Sequence, residues 1–425
     1  MRITFLLTFA FLLLPNSAYA STTIIADAMV DVNSGRLIES PLITIDQGRI
    51  TSVQSQAFYE LSADVIDLRG MTILPGMIDM HTHLTSSSQE HGYKRLASSK
   101  VRSALRGVKH AKATLMAGVT TVRNLGAGGF IDVALRDSIN AGDVAGPRMF
   151  VSGPSLGITG GHCDNNLLPV DYQVSSDGVA DGPWEVAKKV RRNIKYGADL
   201  IKICATGGVL SKGTKVGVQQ YSLEEMRMAV SEAHRRGITV AAHAHGSEGI
   251  YAAIEAGVDS VEHASFIDDA GIKLAKKNGT YLSMDIYVTE YILGEGAADG
   301  ILEESLAKER KTGALQRENF SKAVKAGVKM VMGTDAGVYP HGDNLKQLSR
   351  MVQFGMTPMQ ALQAASVNAA TLLNKGNDIG SIKVGAYADI VAVKGSPLDD
   401  ISVLEDVAFV MQGGVVVKPY VEMGK

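Results

Sequence analysis

The sequence predicts an α/β protein, a (β/α)8 TIM-type barrel carrying a small β-sandwich domain built from both chain ends. Three observations carry this. Eight short apolar runs of strand length recur through the middle of the chain, most of them separated by room for a helix. Polar residues with metal-ligand chemistry gather where those runs end, which is where barrel enzymes place their sites. The two chain ends share a different texture, of short β-branched runs broken by turn residues. An open doubly wound sheet is the competing architecture, but no Gly-rich phosphate loop follows the first strand.

From the N-terminus, residues 1–20 read as a signal peptide. Arg2 is the positive region, 3–14 the apolar stretch, and Ala18-Tyr19-Ala20 the small-x-small cleavage triplet after Pro15. The apolar stretch is shorter than the roughly twenty residues that span a bilayer. The expected location is periplasmic or secreted, with the mature chain starting near Ser21. Residues 21–75 form the first part of the small β domain, 76–374 the barrel, and 375–425 the returning part of the β domain. The barrel strands are expected at 77–80, 119–123, 149–152, 200–205, 238–243, 260–263, 281–283 and 329–334. Helices fall between them. Ser222-Leu223-Glu224-Glu225 is a capping box, followed by Met226, Ala229, Val230 and Ala233 at helical spacing, with Gly237 as the stop. Thr357-Pro358 opens another helix with a cap and an N1 proline.

Composition narrows the function classes. The chain has 425 residues, 45% apolar and 20% charged, too apolar for a disordered protein. Lys+Arg at 42 against Asp+Glu at 44 gives no global charge that would attract nucleic acid or an anionic membrane. The expected partner is a small-molecule or peptide substrate, with a homo-oligomer possible. Cys163 and Cys204 are too few for a disulfide framework and are expected as buried thiols. Trp184 reads as packing, and His91, His110 and His234 as helix or surface residues.

The chemistry gathers at strand ends. His81-Thr82-His83 closes the first strand, and residues two apart on a strand share a face. Lys202 lies between Ile201 and Ile203, so alternation turns it into the barrel. His243, His263 and Asp335 end the fifth, sixth and eighth strands. Imidazole and carboxylate suit a borderline cation such as Zn²⁺, and six potential ligands exceed one tetrahedral site. Two cations fit better, with Lys202 deprotonated and reacted with CO2 to a bridging carbamate, because a bare ammonium beside two cations is strongly disfavoured.

These residues resemble the amidohydrolase superfamily. The resemblance rests on Leu74-Pro75-Gly76-Met77-Ile78-Asp79-Met80-His81-Thr82-His83, Gly118 to Arg123, Ile201-Lys202-Ile203, Gly333-Thr334-Asp335 and the tail Ala388-Asp389-Ile390. Thr159 to Asp164, Lys202 to Val209, His243-Ala244-His245-Gly246 and Ser283 to Tyr287 resemble more narrowly the bacterial zinc-dependent dipeptidases and carboxypeptidases that release a C-terminal Lys or Arg. Prolidase-like members are similar but tend to carry Tyr where His245 stands. The resemblance implies two Zn²⁺ per chain, His81, His83 and Asp335 on the first, His243 and His263 on the second, and carboxylated Lys202 between them. It implies a metal-bridging hydroxide as nucleophile, with Asp335 as the catalytic acid and base.

A C-terminal carboxylate needs donors that are not ligands, and His162, His245 and Arg123 are the substrate-binding candidates. For Arg123 an ion pair inside the barrel is an equal alternative. A cationic side chain would need an acid, and Asp164, Asp285 and Glu290 lie in suitable loops. The competing readings are an Xaa-Pro dipeptidase, a hydantoinase-like cyclic amide hydrolase and an exported binding barrel without catalysis. A deaminase fits less well, because Gly246 stands where such relatives usually keep Glu.

Overall fold

The computed structural model describes residues 21–55 and 65–420; the predicted signal peptide lies outside the described residues. The chain enters through β1 (Thr22–Asp31), β2 (Arg36–Glu39), β3 (Pro41–Asp46), β4 (Arg49–Ser55) and β5 (Val65–Pro75). The first four barrel strands are β6 (Met77–Thr82), β7 (Val119–Asn124), β8 (Arg148–Val151) and β9 (Leu200–Cys204). The remaining four are β10 (Thr239–Ala244), β11 (Ser260–His263), β12 (Tyr281–Ser283) and β13 (Met330–Val331). The chain leaves through β14 (Ile390–Lys394), β15 (Phe409–Gln412) and β16 (Val415–Lys418).

All barrel pairings are parallel. They run β6-β7-β8 and β9-β10-β11-β12-β13. Single parallel bridges close the two arcs into a ring, Leu156 to Ile203 on one side and Thr82 to Ala336 on the other. Strands buried on both faces read as near-continuous apolar runs, and Met77, Ile78 and Met80 of β6 are all buried. The eighth strand is shorter than expected, because the chain bends after Val331 to bring Gly333-Thr334-Asp335 across the barrel mouth.

The small domain follows the order β16-β15-β14-β5-β1-β3-β4, with β2 on β1. A bridge from Arg49 of β4 to Tyr387 ties this edge back to the segment before β14, so both chain ends enclose one core. Ile24, Ile43, Ile50, Ile73, Ile390 and Phe409 fill it.

Both predicted caps form, Ser222 with Glu225 ahead of helix Leu223–His234 and Thr357 with Gln360 ahead of helix Pro358–Ala364. Two expectations are corrected. Cys163 and Cys204 are joined in a disulfide rather than left as thiols, because the loop after β8 folds back on the end of β9 and brings their Cα atoms to 6.1 Å. Trp184 is not packing but 79% exposed, at the open start of helix Pro183–Lys195. Among the described residues no helix is long and apolar enough to cross a membrane.

Candidate active site

The barrel mouth holds a cavity of about 350 Å³ lined by His81, His83, His162, Lys202, His243, His245, His263 and Asp335. Strand alternation explains most of this convergence. Asp79 and His81 point inward from β6, and Lys202 points inward from β9 between the buried Ile201 and Ile203. His263 breaks that rule. Its neighbour Glu262 already occupies the inward position of β11, so alternation alone would turn His263 away from the barrel axis. A left-handed backbone at His263 (φ 67°) bends the chain there, and Asp335 is held in the same region (φ 59°). Such conformations cost a non-glycine residue of order 1 kcal/mol or more and persist where surrounding structure fixes them.

The histidines share a second pattern. Nδ1 of His162 meets Ser211 Oγ at 2.9 Å, and Nδ1 of His245 meets Ser265 Oγ at 2.8 Å. Nδ1 of His263 meets both Asp285 oxygens at 2.9 Å, and Nδ1 of His81 lies 3.2 Å from Glu262 Oε2. With Nδ1 hydrogen-bonded in His162, His245 and His263, and beside a carboxylate in His81, Nε2 is the nitrogen left for a ligand, the arrangement that orients metal-binding imidazoles. Asp285 is itself fixed by Gln316 Nε2 at 2.9 Å. Ligand atoms of His243, His245 and His263 lie within 4.8 Å of one another, as do those of His81, His263 and Asp335. His83 joins through Asp335, whose Oδ1 is 3.1 Å from His83 Nε2 and 3.5 Å from His81 Nε2. His245, read from the sequence as a substrate contact, therefore also stands where it could ligate.

Burial holds most of these imidazoles neutral. Burial, reinforced by Lys202, pushes His81 down to about 4. Burial pushes His162 down to about 3 and holds His243 and His245 well below the usual imidazole range. For His263 burial acts downward, but the Asp285 carboxylate outweighs it and raises the group. Burial alone would raise Asp335, yet His81 and His83 hold it below the ordinary carboxylate range. Lys202 is 3% exposed, its Nζ has no hydrogen-bond partner among the described residues, and burial pushes it down to about 8. That shift disfavours the ammonium and favours the neutral amine. His243 Nε2 is likewise buried without a hydrogen-bond partner among the described residues. Orphaned ligand atoms of this kind fit a bound metal ion.

Glycine at 208 makes the cluster possible. A Cβ there would come within 2.4 Å of His162 and 2.9 Å of His243 Nε2, whose rings stack 4.0 Å apart. Gly208→Ala should therefore displace one or both rings and reduce metal bound per chain, read by plasma mass spectrometry. Asp285→Asn should weaken metal binding by about 10- to 100-fold, measured by competition with a chelating dye, because the partner that orients His263 loses its charge.

Of the two readings of Arg123, the structure shows the ion pair inside the barrel. Arg123 does not line the cavity: Nε donates to Met80 O at 2.6 Å, Nη1 to Ser260 Oγ at 3.0 Å and Nη2 to Glu262 Oε1 at 2.7 Å. Its role is to hold Glu262 beneath His81. Burial alone would raise Glu262, but Arg123 and His81 hold it well below the ordinary carboxylate range. Glu290 is also off the cavity, paired with Arg350 at 2.6 Å and Arg317 at 3.2 Å. Asp164 reaches the cavity but accepts backbone N–H groups of Gly160, Asn165 and Ser176, which organise its own loop. His91, read as a helix or surface residue, lines the cavity, with Nε2 2.9 Å from Val338 O.

Three further residues escaped sequence reasoning. Glu262 is hidden as the residue before a more conspicuous histidine. Arg95 lines the cavity without a hydrogen bond or ion pair among the described residues, on a short 3-10 helix with no apolar periodicity to mark it. Gln316 belongs to helix Glu303–Ala326, whose buried stripe includes Ser305, Glu309, Thr312, Gln316 and Asn319. Polar residues at core spacing on a helix were a usable signal.

Residues 72–424 match the amidohydrolase family. The chain is 32% identical to an ochratoxinase of Aspergillus niger, over 96% of this chain and 89% of that protein. The crystal structure of a Xaa-Pro dipeptidase with methionine bound in its active site superposes with a TM-score of 0.88 at 39% identity, covering 93% of this chain and 99% of that one. A prolidase complexed with N-methylphosphonate-L-proline gives 0.85 at 32%, covering 94% and 100%.

Proposed function

The chain belongs to the amidohydrolase family and is a metal-dependent hydrolase; from that premise we propose that it cleaves the peptide bond before a C-terminal Lys or Arg of dipeptides and short peptides, using two Zn²⁺ and a carboxylated Lys202. The observation that carries this is the buried, unpartnered Nζ of Lys202 facing a cluster of imidazoles whose Nδ1 atoms are engaged elsewhere. His81, His83 and Asp335 would hold one ion, His243 and His263 the other, and the carbamate both. When bound, the ions supply an acidified water and polarise the scissile carbonyl.

The chain's own residues do the rest. Asp335 Oδ1 faces His81 and His83, while Oδ2 has no protein partner among the described residues. Oδ2 can take the proton of the attacking water and deliver it to the leaving nitrogen, so that amide and water become acid and amine. His162 and His245, with Nδ1 occupied, present Nε2 to the substrate. Arg95, unpaired at the cavity wall, is suited to the C-terminal carboxylate. Arg95→Met is expected to raise KM by about tenfold or more with a smaller effect on kcat, the pattern of a lost binding contact.

Release of the C-terminal amino acid from Xaa-Lys, Xaa-Arg, Xaa-Pro and neutral dipeptides tests the reading, with hydantoins as the cyclic-amide arm. Expected is release of Lys and Arg; cleavage of hydantoins alone would contradict it. Xaa-Pro cleavage is the second reading, favoured by the 39% identity to a Xaa-Pro dipeptidase. We also propose that the protein is exported, which the Cys163–Cys204 disulfide supports.

A further inference from the structure

We propose that Glu309 is the residue that selects a basic C-terminal side chain, taking its ammonium or guanidinium head in a subsite between helices Val288–Gly294 and Glu303–Ala326. This rests on the peptidase reading above and assigns the acid that reading requires.

Glu309 lines the same cavity as the histidine cluster and is only 4% exposed. Among the described residues it forms no ion pair. Its one side-chain hydrogen bond comes from Thr289 Oγ1 to Oε1 at 2.5 Å, and Oε2 has no protein partner. A buried carboxylate without a counter-charge is costly, and burial pushes this one up to about 7. A cation delivered by the substrate would remove that cost, so binding energy becomes conditional on a positive side chain.

The surroundings suit a long aliphatic stem ending in a charge. Val288, Ile292, Ile301 and Val338 supply an apolar wall, and all four line the cavity. Gly313 keeps the site open. A Cβ there would meet Thr289 Cγ2 at 2.4 Å and Glu309 Oε1 at 2.9 Å. Glycine inside a helix costs up to about 1 kcal/mol relative to alanine, and here it gives Thr289 and Glu309 their room. The other acids on the cavity are engaged: Glu90 with Arg106, Asp164 with its own loop, Asp285 with His263 and Asp335 with His83.

The test compares kcat/KM for Ala-Arg with that for Ala-norleucine, in the zinc-loaded wild type and in Glu309→Gln, which keeps the size of the side chain. The wild type should prefer Ala-Arg, and the variant should lose about 100-fold of that preference, as expected for one partner of a buried charge pair. Wild-type protein also provides a measurement independent of the variant's folding: L-arginine should inhibit at least about tenfold more strongly than its neutral isostere L-citrulline. A basic preference that survives Glu309→Gln overturns the role of Glu309 and leaves the peptidase reading standing. Dipeptide hydrolysis with no basic preference overturns Glu309 together with the Lys/Arg specificity, and a wild type that cleaves no dipeptide overturns the peptidase reading itself.

Discussion

Lys202→Ala is expected to lose most bound metal and to lower kcat/KM by about 10³-fold or more, since the two ions lose the anion that bridges them. The physical cause is local. Lys202 Nζ is buried and has no hydrogen-bond partner among the described residues, so truncation removes no structural hydrogen bond. Thermal stability of the metal-free protein should therefore stay equal or rise, because an unsatisfied ammonium has been removed. Adding a short carboxylic acid such as acetate or propionate should restore part of the activity by occupying the place of the carbamate. Full activity and full metal content in the variant, without added acid, would remove the bridge from the mechanism.

Asp335→Asn should lower kcat by about 10²- to 10⁴-fold, the range that a positioned acid–base group contributes. An amide cannot accept the proton of the attacking water, although it can still hydrogen-bond. The left-handed backbone at this position is one that Asn also tolerates, so the fold should survive. Metal content separates two effects. If one ion is lost along with rate, ligation dominates; if both ions stay and rate falls, proton transfer does. An Asn variant with wild-type kcat would place the proton relay elsewhere.

Much of the architecture was legible in the sequence because its rules are local. The eight barrel strands fall where apolar runs predicted them, and Ser222 and Thr357 cap the helices they were expected to cap. His81 and Lys202 follow from strand alternation. His263 and Asp335 reach the cavity only through positive φ angles, which no periodicity announces; there the chemistry of the residue types carried the inference. Arg123 was legible only as two alternatives, a substrate donor or a buried ion pair. It ends a strand beside the site, as a substrate donor would, but its charge is spent beneath the site on Glu262, a partner 139 residues away. The Cys163–Cys204 disulfide depends on how a loop returns across β9, which spacing does not fix. Glu309 was overlooked because helix residues were read for apolar periodicity, whereas helix Glu303–Ala326 buries a polar stripe against the catalytic cavity.

The paired ions bridged through Lys202 are tested most directly by a crystal of the protein grown with zinc and bicarbonate and measured across the zinc absorption edge. Expected are two anomalous peaks in the barrel mouth, one beside His81, His83 and Asp335 and one beside His243 and His263, with density extending from Lys202 Nζ between them. A single peak, or two peaks beside a bare and distant Lys202 amine, would contradict it.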